Sequence, residues 1–143
     1  MLLRLVSTLA ALLCTTSVIA DPALGLTTRY FAGYEQQQLG FTPKFSDCMK
    51  EFGGNIGGEL QCYSEESERQ DRQLNVAYQS ALKRLTPERA SQLRLSQRAW
   101  LSMRFPHCKL EREGTGAHID SQNEAACLLV SVAFRARYLE ALE

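Results

Sequence analysis

One amphipathic repeat constrains the fold of this 143-residue chain more than any other feature. Between Glu59 and Leu85, apolar residues recur at steps of i, i+3, i+4, i+7, i+8 and i+11, namely Leu74, Ala77, Tyr78, Ala81, Leu82 and Leu85. The first half of this helix carries many charged residues on its other face, which we expect to be exposed to water. They are Glu65, Glu66, Glu68, Arg69, Asp71 and Arg72. A helix of this kind cannot bury its own stripe, so the rest of the chain must supply partners.

Two further helices are predicted downstream, which makes the expected fold an all-α bundle of three main helices. Thr86 is a good N-cap and Pro87 suits the first helical position, so a second helix should follow a tight turn, lie antiparallel to the first and stop before Pro106. Its predicted buried side carries Ala90, Leu93, Trp100, Leu101 and Phe105. After a predicted loop over residues 107–120, a third helix should run from Ser121 to the C-terminus, with one face formed by Ala125, Leu128, Leu129, Val132, Ala136, Leu139 and Leu142. No alternation of period two argues for a sheet.

Residues 1–20 have the layout of a secretory signal peptide. Arg4 is their only charge, an apolar run too short for a comfortable membrane span follows it, and cleavage is expected after Ala20. A lipoprotein signal acylated at Cys14 is the alternative, but Leu13 stands where a small residue is usual. The mature chain is therefore expected to be periplasmic or secreted, with no membrane span after cleavage.

Residues 21–45 are predicted to form an irregular N-terminal arm, and residues 46–143 the helical domain. Glycines and a proline interrupt the arm between its aromatic residues, which are Tyr30, Phe31, Tyr34, Phe41 and Phe45. We expect these aromatics to pack on the helices or to form a surface for a partner. Ser46 or Asp47 can cap a short helical turn, and the glycine-rich run 53–58 then breaks regular structure before the long helix.

The cysteines of the mature chain predict two disulfides. The chain has five cysteines, and loss of Cys14 with the signal leaves an even number in an exported protein, which allows three pairings. We favour Cys48 with Cys62 and Cys108 with Cys127, because each pair closes a short local loop worth about 3 kcal/mol. Four free thiols are one alternative. A zinc site is another, and its ligands would be His107, Cys108, His118 and Cys127.

The composition and the ionisable residues argue against nucleic-acid binding and against catalysis. Without Arg4 the chain carries 15 basic and 16 acidic residues, and it has no basic stripe of the kind that binds nucleic acid. No nucleophile, base and orienting group can be assembled, and His107 beside Cys108 would indicate a thiol nucleophile only if that cysteine were free. We therefore expect a protein that is not an enzyme and that needs no cofactor or metal.

Four motifs, in this order and spacing, resemble the N-terminal domain family of the LprI-type lysozyme inhibitors over roughly residues 45–142. They are Glu59-Leu60-Gln61-Cys62, then Asp71-x-x-Leu74-Asn75-x-x-Tyr78, then Ser96-Gln97-Arg98-Ala99-Trp100-Leu101 with Arg104 and Cys108, and finally Cys127 with Arg135 and Leu139. The resemblance implies an exported, disulfide-stabilised helical domain and, from the family's founding activity, inhibition of lysozyme by direct binding. The chain departs from the family where Phe105 and Pro106 follow Arg104, since an acidic residue is usual there.

The polar and aromatic residues of these motifs have two interpretations. The set comprises Asp71, Asn75, Tyr78, Gln97, Trp100, Arg104 and Arg135. In the first interpretation, the carboxylate, amide and guanidinium groups satisfy one another between two helices and fix the register of those helices. In the second, Trp100 and Arg104 are binding anchors, because Trp and Arg are enriched at interface hot spots.

Two binding functions remain open from the sequence. In one, the domain blocks the carboxylate-bearing cleft of a lysozyme with Lys109, Arg112 or the loop 114–120, or attracts a basic lysozyme through the acidic face of the first helix. In the other, it is a periplasmic structural or interaction module that binds a different envelope protein through the aromatic N-terminal arm. The sequence leaves the oligomeric state open in both cases.

Overall fold

The computed structural model describes residues 39–112 and 119–143, and over these ranges the chain is all-α, as predicted. Within them, four helices follow one another, with a short 3₁₀ turn between the last two: α1 (Pro43–Glu51), α2 (Ile56–Arg84), α3 (Pro87–Lys109), the turn Leu110–Arg112 and α4 (Ile119–Ala141). No strand occurs in these ranges. The three long helices are the predicted ones, and α1 extends the predicted short turn.

Side-chain caps explain where the helices begin. The side chain of Asn55 accepts the backbone N–H of Gly58 at the start of α2. At the start of α3, Thr86 accepts the N–H of Arg89, and a proline occupies the first turn, as predicted. The cap of α1 is Thr42, whose side chain accepts the backbone N–H of Phe45, and a proline occupies the first helical position. The predicted caps Ser46 and Asp47 lie inside the helix.

The most extensive helix packing in the bundle is between α2 and α4. The two helices run in the same direction, because Glu59 contacts Gln122 near their N-terminal ends and Arg84 contacts Leu139 near their C-terminal ends. Two apolar clusters lie between them along their length. The cluster near their N-terminal ends contains Phe45, Met49, Cys62, Tyr63, Ala126 and Leu129. The cluster near their C-terminal ends contains Leu74, Ala77, Ala81, Leu93, Val132, Ala136 and Leu139. The α3 helix runs back between the two ends and packs more on α4 than on α2. The predicted chain reversal after α2 is present, but α4 supplies most of the partner surface for the α2 stripe.

Two disulfides join the helices at one end of the bundle, with the pairing that the sequence favours. Cys48 is bonded to Cys62 and ties α1 to α2. Cys108 is bonded to Cys127 and ties the last turn of α3 to α4. The zinc and free-thiol alternatives are therefore excluded for these cysteines, because their sulfurs are already bonded to each other.

The structure corrects the predicted course of α3. The helix does not stop before Pro106 but continues to Lys109, where the fully buried Cys108 is held by its disulfide. Leu101 and Phe105, which were assigned to the buried side, are 49% and 55% exposed, because neither α2 nor α4 covers that edge of the helix. The predicted loop after α3 is helical through Arg112, and residues 113–118 lie outside the described ranges.

The structure also corrects the predicted position of two residues at the N-terminal end. Glu66, which was placed on the water-facing side of α2, is fully buried. Phe45, assigned to the irregular arm, lies inside α1 and is fully buried, with its ring 5.7 Å from that of Tyr63. The earlier part of the arm and the predicted signal peptide lie outside the described residues. In the part of the chain that the structure describes, no helix is long and apolar enough to cross a membrane.

Candidate functional site

The exposed side of α3 carries a row of basic and apolar side chains, which we call the α3 ridge. Its members are Arg94, Arg98, Leu101, Phe105 and Lys109, and all five are exposed. Their spacing of i, i+4, i+7, i+11 and i+15 places them in one row along the helix. At 1.5 Å per residue the row is about 22 Å long. Within the described ranges, no ion pair joins its three basic residues to a carboxylate.

A groove of about 340 Å³ runs beside the ridge, because α2 and α3 barely touch along this edge. Its floor is apolar and belongs to α4, which contributes Ala125, Leu128 and Val132. Its two walls differ in charge. Glu68 and Asp71 stand on the α2 side, whereas Arg104 and Phe105 stand on the α3 side. A protein segment of mixed charge with an apolar side chain would match such a groove.

Arg104 links the ridge to α2. Its Nη1 donates to Asp71 Oδ1 over 3.3 Å, and its guanidinium lies 5.0 Å from the ring centroid of Trp100 and 4.7 Å from that of Phe105. Arg104 is only 11% exposed, whereas Asp71 is 52% exposed, so the pair itself adds little stability. Its Nε is buried and has no hydrogen-bond partner among the residues that the structure describes. The residue therefore acts mainly by holding the aromatic rings of α3 in place.

Arg135 makes the corresponding contacts from α4. Its Nε donates to Gln97 Oε1 over 2.9 Å, and its Nη2 donates to Ser96 Oγ over 3.0 Å. The guanidinium also lies over the rings of Trp100, at 5.9 Å, and Tyr138, at 5.2 Å. Burial lowers the pKa of the Arg135 guanidinium below its ordinary value, although the nearby Tyr138 opposes this. Trp100 thus lies against two guanidinium groups, one from its own helix and one from α4.

Two members of the predicted polar cluster lie apart from these contacts. Asn75 is exposed on α2 and lines a shallow depression with Val76, Gln79, Ser80 and Lys83. Tyr78 is half-buried and packs on the apolar cluster near the C-terminal ends of α2 and α4. The structure therefore brings together five of the seven residues, in two groups on either side of Trp100.

A second groove, of about 430 Å³, lies on the opposite side of α3 against α4. It is lined mainly by large apolar side chains, among them Trp100, Met103, Val130, Phe134 and Tyr138. Met103, Phe134 and Tyr138 are each about half exposed. The α3 helix is thus bordered by open apolar surface on both sides, which is typical of helices that meet another protein.

The sequence reasoning missed two buried carboxylates that hold the N-terminal segment in place. Glu66 accepts the backbone N–H of Thr42 at 3.1 Å, the Thr42 hydroxyl at 2.7 Å, the Arg69 Nε at 2.9 Å and the Gln70 amide at 2.9 Å. Burial raises the pKa of Glu66, but these hydrogen bonds outweigh it and the net pKa is lowered. The sequence contained an indication that Glu66 is buried, because Glu66 lies one turn from Cys62 and one turn from Gln70 on the same helix face.

Glu59, the second buried carboxylate, accepts hydrogen bonds from two other segments at the start of α2. One carboxylate oxygen accepts the N–H of Gly54 at 2.7 Å, and the other accepts the side-chain amide of Gln122 on α4. Gly54 has a φ of +85°, a conformation in which glycine is favoured. Burial, together with the nearby Glu59, raises the pKa of Tyr63 well above its usual value. These carboxylates have structural partners, and no group of three metal-ligating side chains occurs among residues 39–112 and 119–143.

These features define a disulfide-bonded, all-α domain that presents one exposed helix between two apolar grooves. Comparison with protein families finds a match to the family described as lysozyme inhibitor LprI over residues 48–139. The chain belongs to this family, as its motifs predicted. The family is one of inhibitors rather than enzymes, and its name, like the disulfides, fits an extracellular or periplasmic location. Searches of curated proteins and of solved structures found no match.

Proposed function

We propose that this chain is an exported inhibitor of lysozyme-type muramidases that acts by direct protein-protein contact. The observation that carries the proposal is membership of the lysozyme inhibitor LprI family over residues 48–139, which span all but a few residues at each end of the helical domain. The two disulfides support export, because such bonds persist in oxidising compartments.

The surface of α3 supports a binding role. Leu101 and Phe105 are each about half exposed on one side of α3, and Met103 is about half exposed on the other, although a monomeric protein usually keeps large apolar side chains from clustering at its surface. Arg98 and Arg104 lie among them, and arginine with aromatic residues is the composition that protein interfaces favour. The scaffold beneath is rigid, because a disulfide holds the end of α3 on α4. A rigid surface binds with less loss of conformational entropy.

The test is a titration of the oxidised chain, residues 21–143, into a cell-wall lysis assay. Lysozymes of more than one type are used, at two salt concentrations, and a thiol titration verifies that the disulfides are intact. We expect inhibition that saturates near one inhibitor per enzyme. Lysis that continues unchanged at micromolar concentrations of folded protein would contradict the proposal and favour the alternative, an interaction module for another envelope protein.

A further inference from the structure

The α3 ridge has no role within the fold that would explain its composition. Arg94, Arg98 and Lys109 carry positive charge without an ion-pair partner in the described part of the chain. Leu101 and Phe105 are exposed next to an apolar groove that they do not fill. Apolar side chains flanked by basic ones along an exposed helix suit a partner with carboxylates set among apolar walls.

We propose that the α3 ridge is the surface that enters the substrate cleft of the inhibited muramidase. The inference rests on the proposed function and names the surface that performs it. Glycoside hydrolases of this kind work with a pair of carboxyl groups on either side of the scissile bond, inside a cleft. Arg98 lies one helical turn into the ridge, directly before Leu101, and there it faces these carboxyl groups. Leu101 and Phe105 cover the apolar walls of the cleft and exclude water from it.

The ridge has the shape that insertion into a cleft requires. It is a convex row about 22 Å long, one helix wide, and its side chains project from a helix rather than from a loop. The guanidinium of Arg104 lies on the ring of Phe105 and is itself paired with Asp71, so the ring is held before binding. The disulfide of Cys108 holds the end of the ridge on α4. Such pre-ordering lowers the entropic cost of association.

The groove beside the ridge favours a protein partner over an anionic membrane. Glu68 and Asp71 stand at the α2 wall of the groove, one helix away from the arginines of the ridge. Anionic lipid headgroups would be repelled by these two carboxylates. A protein can instead place a basic side chain opposite them while its own carboxylates meet Arg98.

The helix itself offers a matched control for the test. Arg89 and Arg98 are both exposed residues of α3, and nine residues at 100° per residue place them on opposite sides of the helix. Arg98→Glu and Arg89→Glu therefore change net charge equally, and only the first lies on the ridge. Thermal unfolding of both variants verifies that each is folded, which is expected because both positions are exposed.

The experiment measures binding of each variant to hen-type lysozyme by calorimetric titration, and inhibition in the lysis assay. We expect Arg98→Glu to weaken binding by roughly thirtyfold or more, as for a charge pair covered in a complex, and Arg89→Glu to change it less than about threefold. A short chitin oligosaccharide that fills the cleft should compete with the wild-type chain.

Each other outcome identifies which idea fails. If the wild type inhibits and the two substitutions have equal effects, the ridge is not the binding surface, and the proposed function is not contradicted. Binding that the oligosaccharide does not displace would also overturn the inference about the ridge, because the ridge would then lie outside the cleft. Absence of any binding by the folded wild type would overturn both. Binding to vesicles of anionic phospholipid that Arg98→Glu abolishes, without lysozyme binding, would assign the ridge to a membrane.

Discussion

Replacement of Glu66 by alanine should cost more stability than any single change on the exposed side of the bundle. The carboxylate is 0% exposed and accepts four hydrogen bonds from Thr42, Arg69 and Gln70. Truncation leaves these donors without an acceptor, and each unmade bond to a buried group costs about 1–3 kcal/mol. Because Arg69 remains partly exposed to water and the N-terminal segment can relax, we expect a total loss of about 3–5 kcal/mol.

Urea unfolding with intact disulfides measures this loss as a shift in midpoint at constant slope. Glu65→Ala is the matched control, since Glu65 is the preceding residue and its partners Gln61 and Lys44 lie at the surface. The control should shift the midpoint far less than Glu66→Ala does, because exposed ion pairs contribute little to stability. The reasoning would be refuted by equal losses in the two variants, because burial and the four hydrogen bonds would then contribute nothing measurable.

Three further predictions concern pH, the second disulfide and the stacked tryptophan. Because hydrogen bonding lowers the pKa of Glu66 in the folded state below its ordinary value of 4.5, its contribution is complete above that pH and is lost as the pH falls through the folded-state pKa. As the pH is lowered, the unfolding free energy should therefore decrease less steeply in Glu66→Gln than in the wild type. Parallel curves of unfolding free energy against pH would contradict this. Replacing Cys108 and Cys127 together by alanine should cost about 3 kcal/mol in thermal or urea unfolding, and a loss near zero would show that the bond adds no stability. Trp100→Ala should cost about 2–4 kcal/mol, because it removes a half-buried ring and two cation–π contacts, and a fully stable variant with lost lysozyme binding would make Trp100 a binding anchor instead.

Local patterns in the chain predicted the three long helices and the disulfides, although not every helix boundary. Thr86 followed by Pro87 predicts the start of α3, and the apolar repeat from Leu74 predicts the inner face of α2. Both patterns depend on interactions between residues that are close in the chain. The cysteine pairs are also local, with separations of 14 and 19 residues, so the shortest loops were the correct ones. Family membership followed from residues that recur at fixed spacing along these same helices.

Burial depended on the packing of whole helices, which no local pattern contains. A helical repeat shows which residues share a face, but it does not show whether another helix covers that face. Since α4, rather than α3, covers most of the α2 stripe, α3 is left with open edges, and Leu101 and Phe105 are exposed although their spacing is apolar. The N-terminal segment folds over Glu66 and removes it from water, because Thr42 and Gly40 lie next to α2 only in the folded protein. The sequence thus determined most of the secondary structure through local chemistry, whereas the tertiary structure decided which charges are buried and which apolar side chains remain exposed.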